Sequence, residues 1–99
     1  MICYKLFRID RNGNLRSLFI NKSKVYQLNV WYMAESHPTK GYLQRPYFHC
    51  LEHPVAPHLT MKNRVWCKVE CKGEHYMKRS KSQGGMWILA NHIKILEIL

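Results

Sequence analysis

Hydrophobic and polar positions alternate most regularly over Arg64–Lys72, "RVWCKVECK". Val65, Cys67, Val69 and Cys71 fall on one side, and Trp66, Lys68, Glu70 and Lys72 on the other. That period of two is what a half-buried strand requires. Ile2 to Ile9, rich in β-branched and aromatic residues, predicts another strand. Asp10-Arg11-Asn12-Gly13-Asn14 follows it. Asn12 and Gly13 both tolerate positive φ, so the pattern predicts a hairpin with Leu15 to Ile20 as its returning strand. Val25 to Met33 also alternates: Tyr26, Leu28, Val30 and Tyr32 share one face, and Gln27, Asn29 and Trp31 the other. Tyr47 to Leu51 reads as a short strand. Ile93 to Leu99, "IKILEIL", reads as a final one, apolar enough that both its faces are expected to be covered.

The connecting segments are less regular. Residues 34 to 46 read as a loop, with His37-Pro38 and Lys40-Gly41 as turn signals. Pro54, Ala56 and Pro57 place one short helix nearby, because proline is tolerated only in a helix's first turn. Gly73 to Gly85 is polar and basic and reads as a long loop. Met86 to His92 fits either a helix or a strand. The sum is a single domain spanning residues 1–99, of the α+β (mostly β) class: a small antiparallel sheet of five or six strands with one short helix.

Charge changes this picture more than length does. Among 99 residues, sixteen Lys and Arg face six Asp and Glu, a formal net charge of +10, while 46% of positions are hydrophobic. The apolar share is enough for a core, which excludes a disordered basic tail. The charge favours a polyanionic partner: nucleic acid, a nucleoprotein complex or an acidic protein surface. No apolar run approaches a membrane span, so no membrane partner is expected. The start Met1-Ile2-Cys3-Tyr4-Lys5 does not read as a signal peptide, and Cys3, Cys50, Cys67 and Cys71 are expected to be reduced in a cytosol.

Three of the six histidines, His49, His53 and His58, lie within ten positions beside Cys50. A zinc site built on Cys67, Cys71 and His75 is disfavoured. Four residues of strand separate the two thiols by about 13 Å, too far for one tetrahedral ion. Their expected place is the core, as small hydrophobes. A Cys50–His49 catalytic pair fails because strand neighbours point to opposite faces. Glu70, between Lys68 and Lys72, reads as a surface ion-pair partner. No phosphate-cradling glycine motif is present, so no catalytic residue, metal or cofactor is assigned. The better-supplied chemistry is nucleic-acid binding, with Lys and Arg interleaved with Tyr4, Phe7, Trp66, Tyr76 and Trp87. The candidate binding residues are Lys68, Lys72, Lys78, Arg79 and Lys81, with Arg8, Arg11 and Arg16 on the hairpin as a second patch beside Lys5.

The landmarks "YKLFR", "GNLRSLFIN", "WYMAE", "GYLQRPYFHCLEHPVAPHL", "RVWCKVEC" and "SQGGMWILA" span most of the chain. In their order they resemble a family of small uncharacterised proteins of bacteriophages and bacterial mobile elements. The resemblance implies a bacterial cytosolic setting and, by analogy, a non-enzymatic protein that engages nucleic acid or a host defence complex, as an anti-defence inhibitor would. A weaker likeness links "FHC", a short helix and "RVWCKVE" to a segment of ADP-ribosyltransferase-like domains. It implies a reduced or inactive NAD-binding relative with His49 in its cleft, and Tyr47 or Glu70 beside it. The chain is short for that fold, and no catalytic glutamate is placed on the expected late strand. Strand edges leave homodimerisation open.

Overall fold

In a computed structural model, residues 1–18, 24–34, 47–55, 61–78, 80–83 and 85–99 are described. The expected short helix from Pro54 onward, the tip of the loop at 35–46, His58, Arg79 and the end of the second hairpin strand lie largely or wholly outside them. The described residues form nine strands rather than five or six: β1 Ile2–Ile9, β2 Leu15–Arg16, β3 Val25–Tyr26, β4 Trp31–Met33, β5 Phe48–Leu51, β6 Arg64–Lys72, β7 His75–Lys78, β8 Met86–Ala90 and β9 His92–Ile98. Their one helical element is a single 3-10 turn, Lys81–Gln83, and none of their helices is long and apolar enough to cross a membrane.

All named strand pairs are antiparallel, in the order β4-β9-β6-β1-β5-β8-β7, with β2 beside β1 and β3 beside β2. The segment expected to be a loop, Gly73 to Gly85, contains β7. It escapes notice because three of its four residues are exposed, so it shows no inside–outside alternation. The returning hairpin strand shortens to Leu15–Arg16. Val25 to Met33 is two short strands. Asn29 adopts φ 62° between them, and its N–H donates to the Ile95 carbonyl at 2.8 Å.

One register organises the sheet. Cys71 stands opposite Ile93 and Lys72 opposite His92 in β6–β9; His75 stands opposite Leu89 and Lys78 opposite Met86 in β7–β8. The pairing is continuous, so β6–β7 and β8–β9 are the arms of one long hairpin, bent where Gly73 meets Asn91. Gly73 has φ +64°, and a Cβ there would lie 2.8 Å from Asn91 Nδ2. The Asn91 N–H donates to the Lys72 carbonyl, and the Ala34 N–H to the Asn91 carbonyl, which pins the bend from both sides. β1 pairs with β6 from one half of the hairpin, and β5 pairs with β8 from the other. Tyr4 opposite Leu51 joins the two halves. The sheet is thereby curled over its inner face.

That face buries Cys3 and Phe7 of β1, Phe48 and Cys50 of β5, Cys67, Val69 and Cys71 of β6, Ile88 and Ala90 of β8, and Ile93 and Ile95 of β9. Tyr26 closes it, its ring 5.5 Å from Phe7 and 4.8 Å from Tyr32. The alternation read from β6 holds from Cys67 to Lys72, while Arg64, Val65 and Trp66 are all partly buried. Two expectations are corrected. Lys5 is not on the exposed side of the hairpin: it shares the inner face with Cys3 and Phe7, and its Nζ donates to the His49 carbonyl at 3.2 Å. Nor are all four cysteines thiols. Cys3 and Cys71 form a disulfide, while Cys50 and Cys67 are buried and unbonded. Cys3 stands opposite Val69, so Cys71 is its diagonal neighbour on the same face.

Two outcomes are expected. Gly73→Ala forces a side chain into the left-handed region against Asn91 and costs about 1–2 kcal/mol, read as a lower urea midpoint. Burial pushes the Cys50 thiol up to about 11 and the Cys67 thiol up to about 12, each pulled back in part by the Lys5 ammonium. In the native unreduced protein at about pH 8 neither is a thiolate, so neither reacts with a disulfide-exchange reagent over minutes, whereas both react at once in denaturant.

Candidate nucleic-acid interface

The inner face being apolar, the opposite side of β1, β6 and β9 is fixed by pleat and register. β6 turns Arg64, Trp66, Lys68, Glu70 and Lys72 outward, and its partners set the rows. Lys72 lies beside His92 and then Met33. Glu70 lies beside Lys94 and then Trp31. Lys68 lies between Tyr4 and Glu97, and Arg64 beside Arg8 and then Arg16. The face is a ladder of cations interrupted by Glu70 and Glu97 and by the apolar row of Leu6 and Trp66. It runs about 26 Å from Arg64 to Lys72 at the usual rise per residue.

At one end, Trp31 is 37% exposed. The Lys72 Nζ lies 4.2 Å from its ring centroid and the Lys94 Nζ 5.2 Å. Lys94 also reaches the Glu70 carboxylate at 3.7 Å. An ammonium over an exposed indole contributes about 0.5–1 kcal/mol, whereas a nucleobase stacked on an aromatic contributes about 1–3 kcal/mol. Lys72 and Lys94 share the one ring, so together they contribute about 1–2 kcal/mol, the same order as one stacked base. Next to this group, Met33 is 66% exposed.

At the other end, Arg8 stands between Arg16 and Arg64. Like charges placed directly opposite one another destabilise a sheet, and an anion over the row relieves them. Arg16 is also structural: its Nε donates to Asp10 Oδ2 at 2.7 Å. Asp10 Oδ1 accepts the N–H groups of Asn12 and Asn14, and Gly13 takes φ +81°, so the turn carrying exposed Arg11 is held from within.

The remaining sequence candidates lie elsewhere. Lys78 on β7 and Lys81 on the 3-10 turn sit at the opposite end of the strand order from Trp31 and form a separate basic edge. Arg79 lies outside the described residues. Beside Lys81 is a cleft of about 360 Å³ lined by Leu51, Glu52, His53, Val55, Gly85 and Met86. His49 does not line it. The His49 ring, half-buried, meets the Trp87 ring edge-on at 6.0 Å, and Tyr47 meets His75 edge-on at 4.5 Å. Glu70 is not beside them. It stands opposite Ile2 on the far side of β1 and pairs with Lys94. The two histidines of that cluster that are described, His49 and His53, share no site: His49 is on a strand, and His53 is at the cleft. Trp87 is buried and Trp66 is packed against it with Leu51 and Met77 in a second small cluster, so these two indoles are not stacking platforms.

Trp31 and Lys94 are the residues that sequence reading did not assign. Alternation put Trp31 on the face opposite Tyr26 and Tyr32, and Lys94 on a strand whose two faces were both expected to be covered. That they are neighbours depends on β4 pairing with β9, which no local pattern announces.

One pH effect follows from the hairpin turn. The Arg16 guanidinium, with the Asn14 and Asn12 N–H groups, holds the Asp10 carboxyl down to about 2 from its ordinary 3.8. A depressed carboxyl stabilises the fold above its unfolded value, and that contribution is lost as pH falls from about 4 through about 2. Urea midpoints taken across this range drop in the parent protein and less in Asp10→Asn. No family model matches this chain, and no curated protein or solved structure shows significant similarity to it.

Proposed function

We propose that this protein is a non-enzymatic binding protein that engages single-stranded nucleic acid along the outward face of β1, β6, β9 and β4, in a bacterial host cell. The observation that carries the reading is Trp31 exposed between the ammonium groups of Lys72 and Lys94. It is the pairing of a stacking surface with phosphate-binding cations that sequence-tolerant single-strand binders use. Lys68 continues the track, and the row of Arg16, Arg8 and Arg64 ends it. A face of about 26 Å is long enough for about four extended nucleotides. The charge of +10 supplies steering toward such a strand. The bacterial setting rests on the resemblance to bacteriophage and mobile-element proteins.

The test is binding of a labelled, mixed-sequence single-stranded oligonucleotide across a salt series. Affinity falls steeply with salt. Trp31→Ala weakens binding by about 1–3 kcal/mol, roughly 5- to 150-fold. Lys72→Ala and Lys94→Ala each flatten the salt slope by about 0.7 for every phosphate contact removed. Lys78→Ala and Lys81→Ala, on the other edge, leave it unchanged. Tighter binding to duplex than to single strand, or an unaffected Trp31→Ala, would sink the reading.

A further inference from the structure

The inner face brings together three sulfurs from three strands. Cys3 of β1, Cys50 of β5 and Cys71 of β6 have their Sγ atoms all within 4.8 Å of one another. The disulfide accounts for two of them. The third belongs to a thiol as completely buried as they are: Cys3 and Cys50 are 0% exposed and Cys71 2%. Cys67, on the same inner face, is not part of the group, since β6 carries it two pleats away, opposite Lys5.

We propose that, once the Cys3–Cys71 bond is reduced, Cys3, Cys50 and Cys71 bind one soft monovalent d10 ion, Cu(I), through three thiolates. The reduction takes two electrons and two protons from an external dithiol, which leaves as its own disulfide. Cys3 and Cys71 become thiols. On binding, the three thiols release their protons to solvent and three Cu–S bonds form.

Donor type comes first among the reasons for this ion. An all-sulfur set selects soft ions such as Cu(I) or zinc over magnesium or calcium. Distance comes next. An ion about 2.3 Å from each of three sulfurs holds them about 4 Å apart: the Cys3 and Cys71 sulfurs, about 2 Å apart while bonded, must separate by about 2 Å after reduction, while the Cys50 sulfur, already within 4.8 Å of both, needs to close by less than about 1 Å. Ligand number then separates the two soft ions. Zinc completes a tetrahedron with a fourth ligand. Among the described residues, no fourth cysteine, histidine or carboxylate joins the group, and the apolar surroundings of Cys3, Cys50 and Cys71 offer no resident water a polar partner as fourth ligand. Three-coordinate Cu(I) needs neither. Finally, three thiolates and one Cu(I) carry net negative charge in a dry core. Lys5, on the same face and hydrogen-bonded to the carbonyl of His49, next to Cys50, supplies a nearby positive charge to offset it.

The experiment uses the whole chain, reduced with a phosphine under anaerobic conditions and titrated with Cu(I) against a chromophoric Cu(I) chelator, with zinc as a parallel arm. The dithiol protein takes one equivalent of Cu(I) from the chelator, and the disulfide form takes none. Cys67→Ala binds as the parent does, while Cys50→Ala loses at least 100-fold. Because Cys50→Ala can also disturb the core, X-ray absorption on the loaded parent protein gives an independent reading: a shell of three sulfurs and nothing else. Failure to compete with the chelator overturns the proposal, as does equal loss in Cys67→Ala. Preference for zinc, or a shell containing nitrogen, oxygen or a fourth sulfur, also overturns it.

Discussion

The bend at Gly73 and Asn91 is the constraint on which the rest of the molecule depends. A flat hairpin running from Arg64 to Ile98 would expose one apolar face along its whole length. Folding it over at a residue with φ +64° makes its two halves face each other. β1 and β5 then bridge them, and the apolar positions of every long strand converge. The same bend carries Cys71, two positions before Gly73, to Cys3 and Cys50. It also decides which side of β6 is left for solvent.

The two faces pose opposite electrostatic problems. Inside, Lys5 stands among Cys3, Phe7 and Cys67. Burial lowers its pKa, while nearby Cys50 and Cys67 work the other way. A hydrogen bond to the His49 carbonyl and the rings of Phe7 and Phe48 within 6.0 Å compensate the ammonium for lost water. Outside, the difficulty is crowding of like charge. Arg8 sits between two arginines, and Lys72 and Lys94 approach one indole.

Local pattern revealed the strands whose two sides differ. β1 and β6 are long and half-buried; β1 is legible from its β-branched and aromatic residues, and the alternation of β6 is real burial from Cys67 to Lys72. Where both sides are exposed, as in β7, the pattern vanishes and a strand reads as a loop. Where alternation runs through a break, as at Asn29, two strands read as one. Contacts between distant segments were illegible for a different reason. Trp31 meets Lys94, and Cys3 meets Cys71 across 68 positions, because of strand order, and strand order is settled by the whole core rather than by any one window. Composition supplied the charge on which the expected partner class rests, but not which cations gather around an aromatic.

The Cys3–Cys71 bond has a topological consequence. It makes the chain from Cys3 to Cys71 a covalent ring, leaving the bent hairpin's remaining arms outside it as a tail. Such a closure removes disorder from the unfolded chain worth roughly 4 kcal/mol. It also means that one backbone cut anywhere between those residues opens the ring without releasing a piece. A nicked molecule would keep its mass, hold β1 against β6, and come apart only when the sulfurs are reduced.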